Sequence, residues 1–123
     1  MVYNLGMRAE QVQKTVLLLR ISLAFVFIYA GVRSLINPSD WVGFVPMWVT
    51  DFGFTRENLL FAHALLDIAL GLLFLGNVKI KFFSLVAAVL LFVIALAPGL
   101  GVLDITFRDI GLGLAALALF FAV

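Results

Sequence analysis

The stretch Asp104–Val123, DITFRDIGLGLAALALFFAV, decides how the rest of the chain is read. Its 20 residues, at ~1.5 Å per helical residue, reach about 30 Å, the thickness of a bilayer's hydrocarbon core. The segment spans with nothing to spare. Because the sequence stops at Val123, Arg108 and Asp109 are expected inside the membrane boundary or at its edge. At helical spacing Asp104, Arg108, Gly111, Ala115, Ala118 and Ala122 fall on one stripe, with Leu112, Leu114, Leu117, Leu119, Phe120 and Phe121 largely off it. Small residues let helix backbones approach, and ionisable groups at this depth avoid lipid, so the stripe is expected to face the protein interior.

Composition sets the same frame. With 65% hydrophobic and 12% charged residues over 123 positions and a mean hydropathy of +1.23, the chain is too apolar for a soluble domain of its size. It reads as an integral membrane protein, a single domain over residues 1–123. A net charge of +1 without a Lys/Arg cluster argues against a nucleic-acid surface. The absence of cysteine rules out disulfides, a thiol relay and iron–sulfur ligation, and one histidine is too few for a dedicated zinc or haem site. No covalently held or metal cofactor is therefore expected. The opening MVYNLGMRAEQVQK lacks the apolar core and small-residue cleavage site of a signal peptide, so Thr15 onward reads as a retained helix.

Four spans are expected, at about residues 15–36, 57–76, 80–98 and 104–123, making an all-α, integral membrane four-helix bundle. Asn37-Pro38 ends the first, because the residue before a proline is pushed out of helical geometry. In that span Arg20, Ala24, Phe27, Gly31 and Ser34 share a face, and Arg33 points elsewhere, near the far end. Arg20 either snorkels to headgroups or pairs within the bundle. The segment that follows carries Pro38, Pro46, Trp41, Trp48 and several phenylalanines. That is an interfacial composition, expected either as a short helix or re-entrant turn closing one end of the bundle or as a plain aromatic belt.

In the second span His63, Asp67, Gly71 and Phe74 share a face, with Asp67 near mid-membrane. A carboxylate there must be paired, hydrogen-bonded or protonated, and His63, one turn away, is its nearest partner in sequence. Packing glue and a proton-handling or ligand-binding site are both open readings of the pair. A tight turn at Gly76–Lys79 makes the second and third spans antiparallel neighbours, and Ser84, Ala88, Leu91 and Ala95 form the packing face of the third.

Arg8, Lys14, Arg20, Lys79 and Lys81 fall on one side of these spans and Arg33, Arg56 and Arg108 on the other. The excess places the chain in the cell membrane as a multi-pass protein with both termini cytoplasmic. Asp40, Asp51, Glu57, Asp67, Asp104 and Asp109 then lie from mid-membrane outward, with His63, Arg33 and Arg108. A long arginine side chain can cover most of the depth between Arg108 and Asp67, so these two are expected to meet, with His63 beside them. Asp109 faces another way, toward Arg33 or the amides of the first connection.

RISLAFVFIYAGVRSLINPSDWVGFVP (20–46), DIALGLLFLGN (67–77) and FRDIGLGLAALAL (107–119) together resemble the DoxX family of small four-helix membrane proteins. Family members commonly carry glutamate at the position of Asp67 and lysine at that of Arg33. The family takes its name from a membrane thiosulfate:quinone oxidoreductase, and some relatives belong to complexes that handle sulfur compounds or oxidative stress. The resemblance implies a membrane-anchoring or quinone-docking subunit of an oxidoreductase complex, with quinone as cofactor and a redox subunit as partner. Arg108, Asp67 and His63 would contact the quinone carbonyls or move its protons, and Trp41, Phe44 and Trp48 would wall its ring. Two other classes stay open: a binding or transport protein for a small lipid-like molecule, and a structural component whose charges only lock helices together. Whether the chain is itself an enzyme, and whether it forms a homo-oligomer, also stay open. The candidate residues are His63, Asp67, Arg108, Asp109, Trp41 and Trp48.

Overall fold

The computed structural model describes residues 5–99, 101 and 103–123, with Leu5–Met7, Asp104 and Ile105 described by backbone alone. No strand occurs among them, and the class is all-α. The elements are α1 (Leu5–Ile36), α2 (Pro38–Trp41), two 3-10 turns (Val42–Phe44 and Met47–Phe52), α3 (Arg56–Leu75), α4 (Ile80–Leu96) and α5 (Leu103–Ala122). Hydropathy places the start of the first span at Thr15, but the helix begins at Leu5. The apolar run marks only the part of α1 that needs cover. Arg8, Ala9, Glu10, Gln11, Gln13 and Lys14 are good helix formers, so the helix runs on past it. Residues 8–15 are exposed.

α1 lies antiparallel against α3, and α4 against α5. Two glycines set the closeness of the first pair. A Cβ on Gly31 would lie 2.6 Å from Ile68 Cγ1 and 2.7 Å from the Ala64 carbonyl. A Cβ on Gly71 would strike Ile28 Cγ1 and come within 3.0 Å of the Ala24 carbonyl. Each helix thus offers a glycine notch to an isoleucine of the other, the close backbone packing that small residues permit. Leu23, Ala24 and Phe27 of α1, Leu70 and Phe74 of α3, Ile80, Ala87, Ala88 and Leu91 of α4, and Ala116 and Leu119 of α5 join in one core. The packing faces expected from spacing in α1, α3 and α4 are the buried ones.

The face of α5 is a correction. Arg108, Gly111, Ala118 and Ala122 of the expected stripe are exposed and Ala115 is half-buried, while the side chain of Asp104 lies outside the described residues. The buried line is Thr106, Gly113, Ala116 and Leu119, with Asp109 half-buried beside it. At Gly113 the ring tip of Phe92 lies 3.0–3.2 Å from where a Cβ would be, so this face of α5 meets α4 closely. Thr106 Oγ1 fixes the same face by donating to the Ala95 carbonyl at 3.0 Å.

Three cations secure the ends. Arg20 donates from Nε to the Phe74 carbonyl and from a terminal nitrogen to the Leu75 carbonyl, both at 3.0 Å. These carbonyls lie in the last turn of α3, where the i+4 helical donor is missing and Phe74 has only a 3.4 Å bond from the Asn77 amide beside the arginine. Lys81 Nζ does the same for α5, reaching the carbonyls of Phe120 (3.0 Å) and Val123 (3.1 Å), and lies 4.1 Å from the Phe120 ring centre. At the opposite end Arg56 donates to the carbonyls of Val45 (2.7 Å) and Val42 (2.9 Å), tying the helical connection between α1 and α3 to the start of α3. Within that connection Val49 is buried. Arg20 therefore binds within the fold, as a helix cap and not in an ion pair.

Among the described residues, Arg8–Ile36 and Arg56–Leu75 are long and apolar enough to cross a membrane, and Ile80–Leu96 is a shorter apolar helix. Large apolar side chains project from all four long helices, among them Leu18, Phe25, Phe61, Phe82, Val89, Phe107 and Phe121. A surface this apolar needs a cover other than water.

Candidate functional site

The polar groups gather in two neighbouring places toward the end where α1 leaves and α3 begins. The deeper is on α3. His63 Nε2 lies 3.2 Å from Asp67 Oδ2, the i, i+4 geometry of a continuous helix. Asp67 is only 4% exposed, and its other oxygen, Oδ1, is buried without a hydrogen-bond partner among the described residues. His63 keeps 28% of its side chain accessible and sits one turn nearer the helix start. The imidazole thus stands between a buried carboxyl and the outside. From α5, Asp109 is the acidic group whose charge reaches Asp67, and Arg108 is the cation whose charge reaches Asp109.

The shallower place is a cleft of about 310 Å³ lined by Tyr29 and Arg33 of α1, Asp40 and Trp41 of α2, Phe44 of the first 3-10 turn and Arg108 of α5. Asn37 leaves the helix with φ −129°, Pro38 starts α2, and the chain doubles back so that Asp40 and Trp41 face the end of α1. Rotation of α5 carries Arg108 to this cleft and away from Asp67. No ion pair within 4.0 Å joins Arg108 to Asp67, or Asp109 to Arg33, among the described residues. Among the described residues the ion pair of Asp67 is with His63, and Asp109, half-buried one residue beyond Arg108, is the acid of α5 whose charge reaches it.

The structure brings together Trp41, Phe44 and Arg108 in the cleft, and His63 with Asp67 on α3, where the charge of Asp109 reaches. Trp48 is apart from both, exposed, with its ring edge-on to Phe52 at 6.1 Å. Tyr29, Arg33 and Asp40 are cleft residues that spacing alone does not single out. A signal for two of them exists in retrospect: Tyr29 and Arg33 stand at i, i+4 on the last turns of α1, just before the chain reverses. No group of three His, Cys, Asp or Glu side chains suited to a metal ion occurs among the described residues.

Neither the curated proteins nor the solved structures give a match to this chain. The DoxX family model matches residues 15–99, from the first apolar turn of α1 through the end of α4. That span holds the α1–α3 glycine notches, the His63–Asp67 pair and every lining residue of the cleft except Arg108. With more than half of its length matched, this membrane protein belongs to the DoxX family.

Proposed function

We propose that the four long helices form a membrane-spanning bundle whose aromatic, arginine-bearing cleft binds the polar head of a small amphiphile. The observation that carries this reading is the cleft's lining: Trp41 and Phe44 offer ring faces, and Tyr29, Arg33 and Arg108 offer donors to oxygen. Its volume of about 310 Å³ suits a headgroup or a single ring. An apolar tail then lies along the helices, where large aliphatic and aromatic side chains are already exposed.

A quinone is the redox-active member of that ligand class, and the His63–Asp67 pair favours it as a second reading. A quinone-docking subunit of an oxidoreductase complex needs a proton-handling group near the ring, and a buried carboxyl with one unsatisfied oxygen supplies one. Native mass spectrometry of the gently extracted protein tests both. A stoichiometric amphiphile that Trp41→Ala and Phe44→Ala remove supports the binding reading. A quinone or a redox partner subunit, with Asp67→Asn stopping its turnover while leaving it bound, supports the second. Bare protein under repeated mild extraction overturns both and leaves the polar residues as packing devices.

A further inference from the structure

Among the cations that touch the helix ends, three are committed to backbone carbonyls: Arg20, Arg56 and Lys81. Arg33 and Arg108 are not. Neither makes a hydrogen bond or an ion pair among the described residues, and both line the same cleft, one from α1 and one from α5. Asp40 is the acid in that lining, and it lies beyond 4.0 Å of either guanidinium. Asp109 feels the charge of Arg108 but does not line the cleft. The lining itself thus carries two positive groups against one negative, with up to ten unshared N–H donors between the two guanidiniums (about five each).

A second feature says what accompanies the anion. An apolar groove of about 420 Å³ runs along α1, lined by Ile21, Ala24, Phe25, Ile28, Tyr29, Val32 and Leu75. Tyr29 lines both the groove and the cleft, so the two meet at its side chain. From Val32 to Ile21 the groove extends about 16 Å by helical rise, a length for an acyl chain. Free phosphate needs no such groove.

We infer that the cleft and groove form a site for an anionic phospholipid, its phosphate held between Arg33 and Arg108, its ester region beside Tyr29 and Trp41, and one acyl chain along α1. Guanidinium is the side chain best matched to phosphate, through paired parallel hydrogen bonds, and two of them from different helices clamp a tetrahedral oxyanion from two sides. This assignment rests on the cleft being the ligand site, and names the class of amphiphile that fills it.

The full chain, in detergent micelles, is mixed with phosphatidylglycerol and phosphatidylcholine of identical acyl chains, and lipids retained are counted by native mass spectrometry. Phosphatidylglycerol is expected to be retained at least about fivefold better, with Arg33→Gln and Arg108→Gln each bringing the ratio toward parity. Lys79→Gln, an exposed charge in the turn between α3 and α4, is expected to leave it unchanged. Asp40→Asn, which removes the acid of the lining, is expected to raise it, a gain that a misfolded variant cannot mimic. Equal retention of the two lipids, or a preference that neither arginine substitution alters, overturns the inference. Displacement of phosphatidylglycerol by millimolar inorganic phosphate with no effect of chain length overturns the lipid source and reassigns the cleft to the free ion. Equal retention that Trp41→Ala abolishes removes the anion and keeps the amphiphile reading; retention of neither lipid, with no other bound molecule, removes both.

Discussion

Arg20 illustrates how a charge at membrane depth is made tolerable by geometry. Its guanidinium meets two carbonyls of the last turn of α3, of which Phe74 otherwise accepts only a long 3.4 Å bond from the Asn77 amide, so cation and helix terminus ease each other's deficit. Hydrogen bonds to a charged donor contribute about 1.5–3 kcal/mol each when the partner would otherwise be left bare. Arg20→Met keeps the stem's packing and removes the donors. Unfolding in mixed micelles is expected to show it less stable by about 2 kcal/mol, with Arg20→Lys intermediate because one ammonium cannot reproduce the fork. No loss in Arg20→Met would mean that the two carbonyls are satisfied by other donors. The same logic separates this arginine from Arg33 and Arg108, which have no backbone acceptor to cap and whose replacement is expected to affect ligand retention with little effect on unfolding.

At the scale of elements, the α1–α3 seam depends on two positions that admit no side chain. Gly71→Val would drive a branched side chain into Ile28 and the Ala24 carbonyl, and Gly31→Val into Ile68 and the Ala64 carbonyl. Because a carbonyl is backbone and cannot rotate aside, each substitution must separate the helices, at a cost of about 1–3 kcal/mol or more. Gly113→Ala meets only the tip of the Phe92 ring and is expected to cost much less, and Gly111→Ala, which meets nothing within 4 Å, is expected to be neutral. Thermal unfolding of the four variants in one detergent checks the order. The same contrast explains which packing faces were legible in the sequence. α1, α3 and α4 alternate small or polar residues with large apolar ones at a spacing of three to four, so a single stripe stands out. In α5 the run GLGLAALAL places small residues on two nearly opposite stripes, Gly111, Ala115 and Ala118 against Gly113 and Ala116, and contacts from another helix, the ring of Phe92 and the Ala95 carbonyl, select between them. The His63–Asp67 pair was legible because it is local. The cleft was legible only in part: the family resemblance grouped Trp41, Phe44 and Arg108, but Arg108 stands on α5, far in sequence from Tyr29, Arg33 and Asp40, and that α5 comes beside the end of α1 is not written in either stretch.

For the molecule as a whole, the antiparallel pairs put Arg20 and Lys81 at one end and Arg33, Arg56 and Arg108 at the other, with the exposed first turns of α1 continuing beyond Arg20. If the bundle spans a membrane, these ends face opposite compartments, and the larger lysine and arginine count puts the Arg20 end in the cytoplasm. The bias is five against three, small enough that the fixed charges deserve weighing: Arg20 and Lys81 are bound to helix ends, whereas Arg8, Lys14 and Lys79 belong to the protruding helix and the α3–α4 turn. On that reading Lys14 and Lys79, exposed outside the apolar part of the helices, weigh most in the orientation. The chain has no cysteine, so any single introduced thiol reports its own position. In intact cells a membrane-impermeant maleimide is expected to label Ser39→Cys and Thr50→Cys on the connection between α1 and α3, and to label Glu10→Cys and Val78→Cys only after lysis; all four positions are exposed. Labelling with the compartments exchanged would overturn the orientation and keep the span. Labelling of all four without lysis would overturn the spanning bundle, and with it the placement of the arginine cleft at a membrane surface where the head of an amphiphile can enter it.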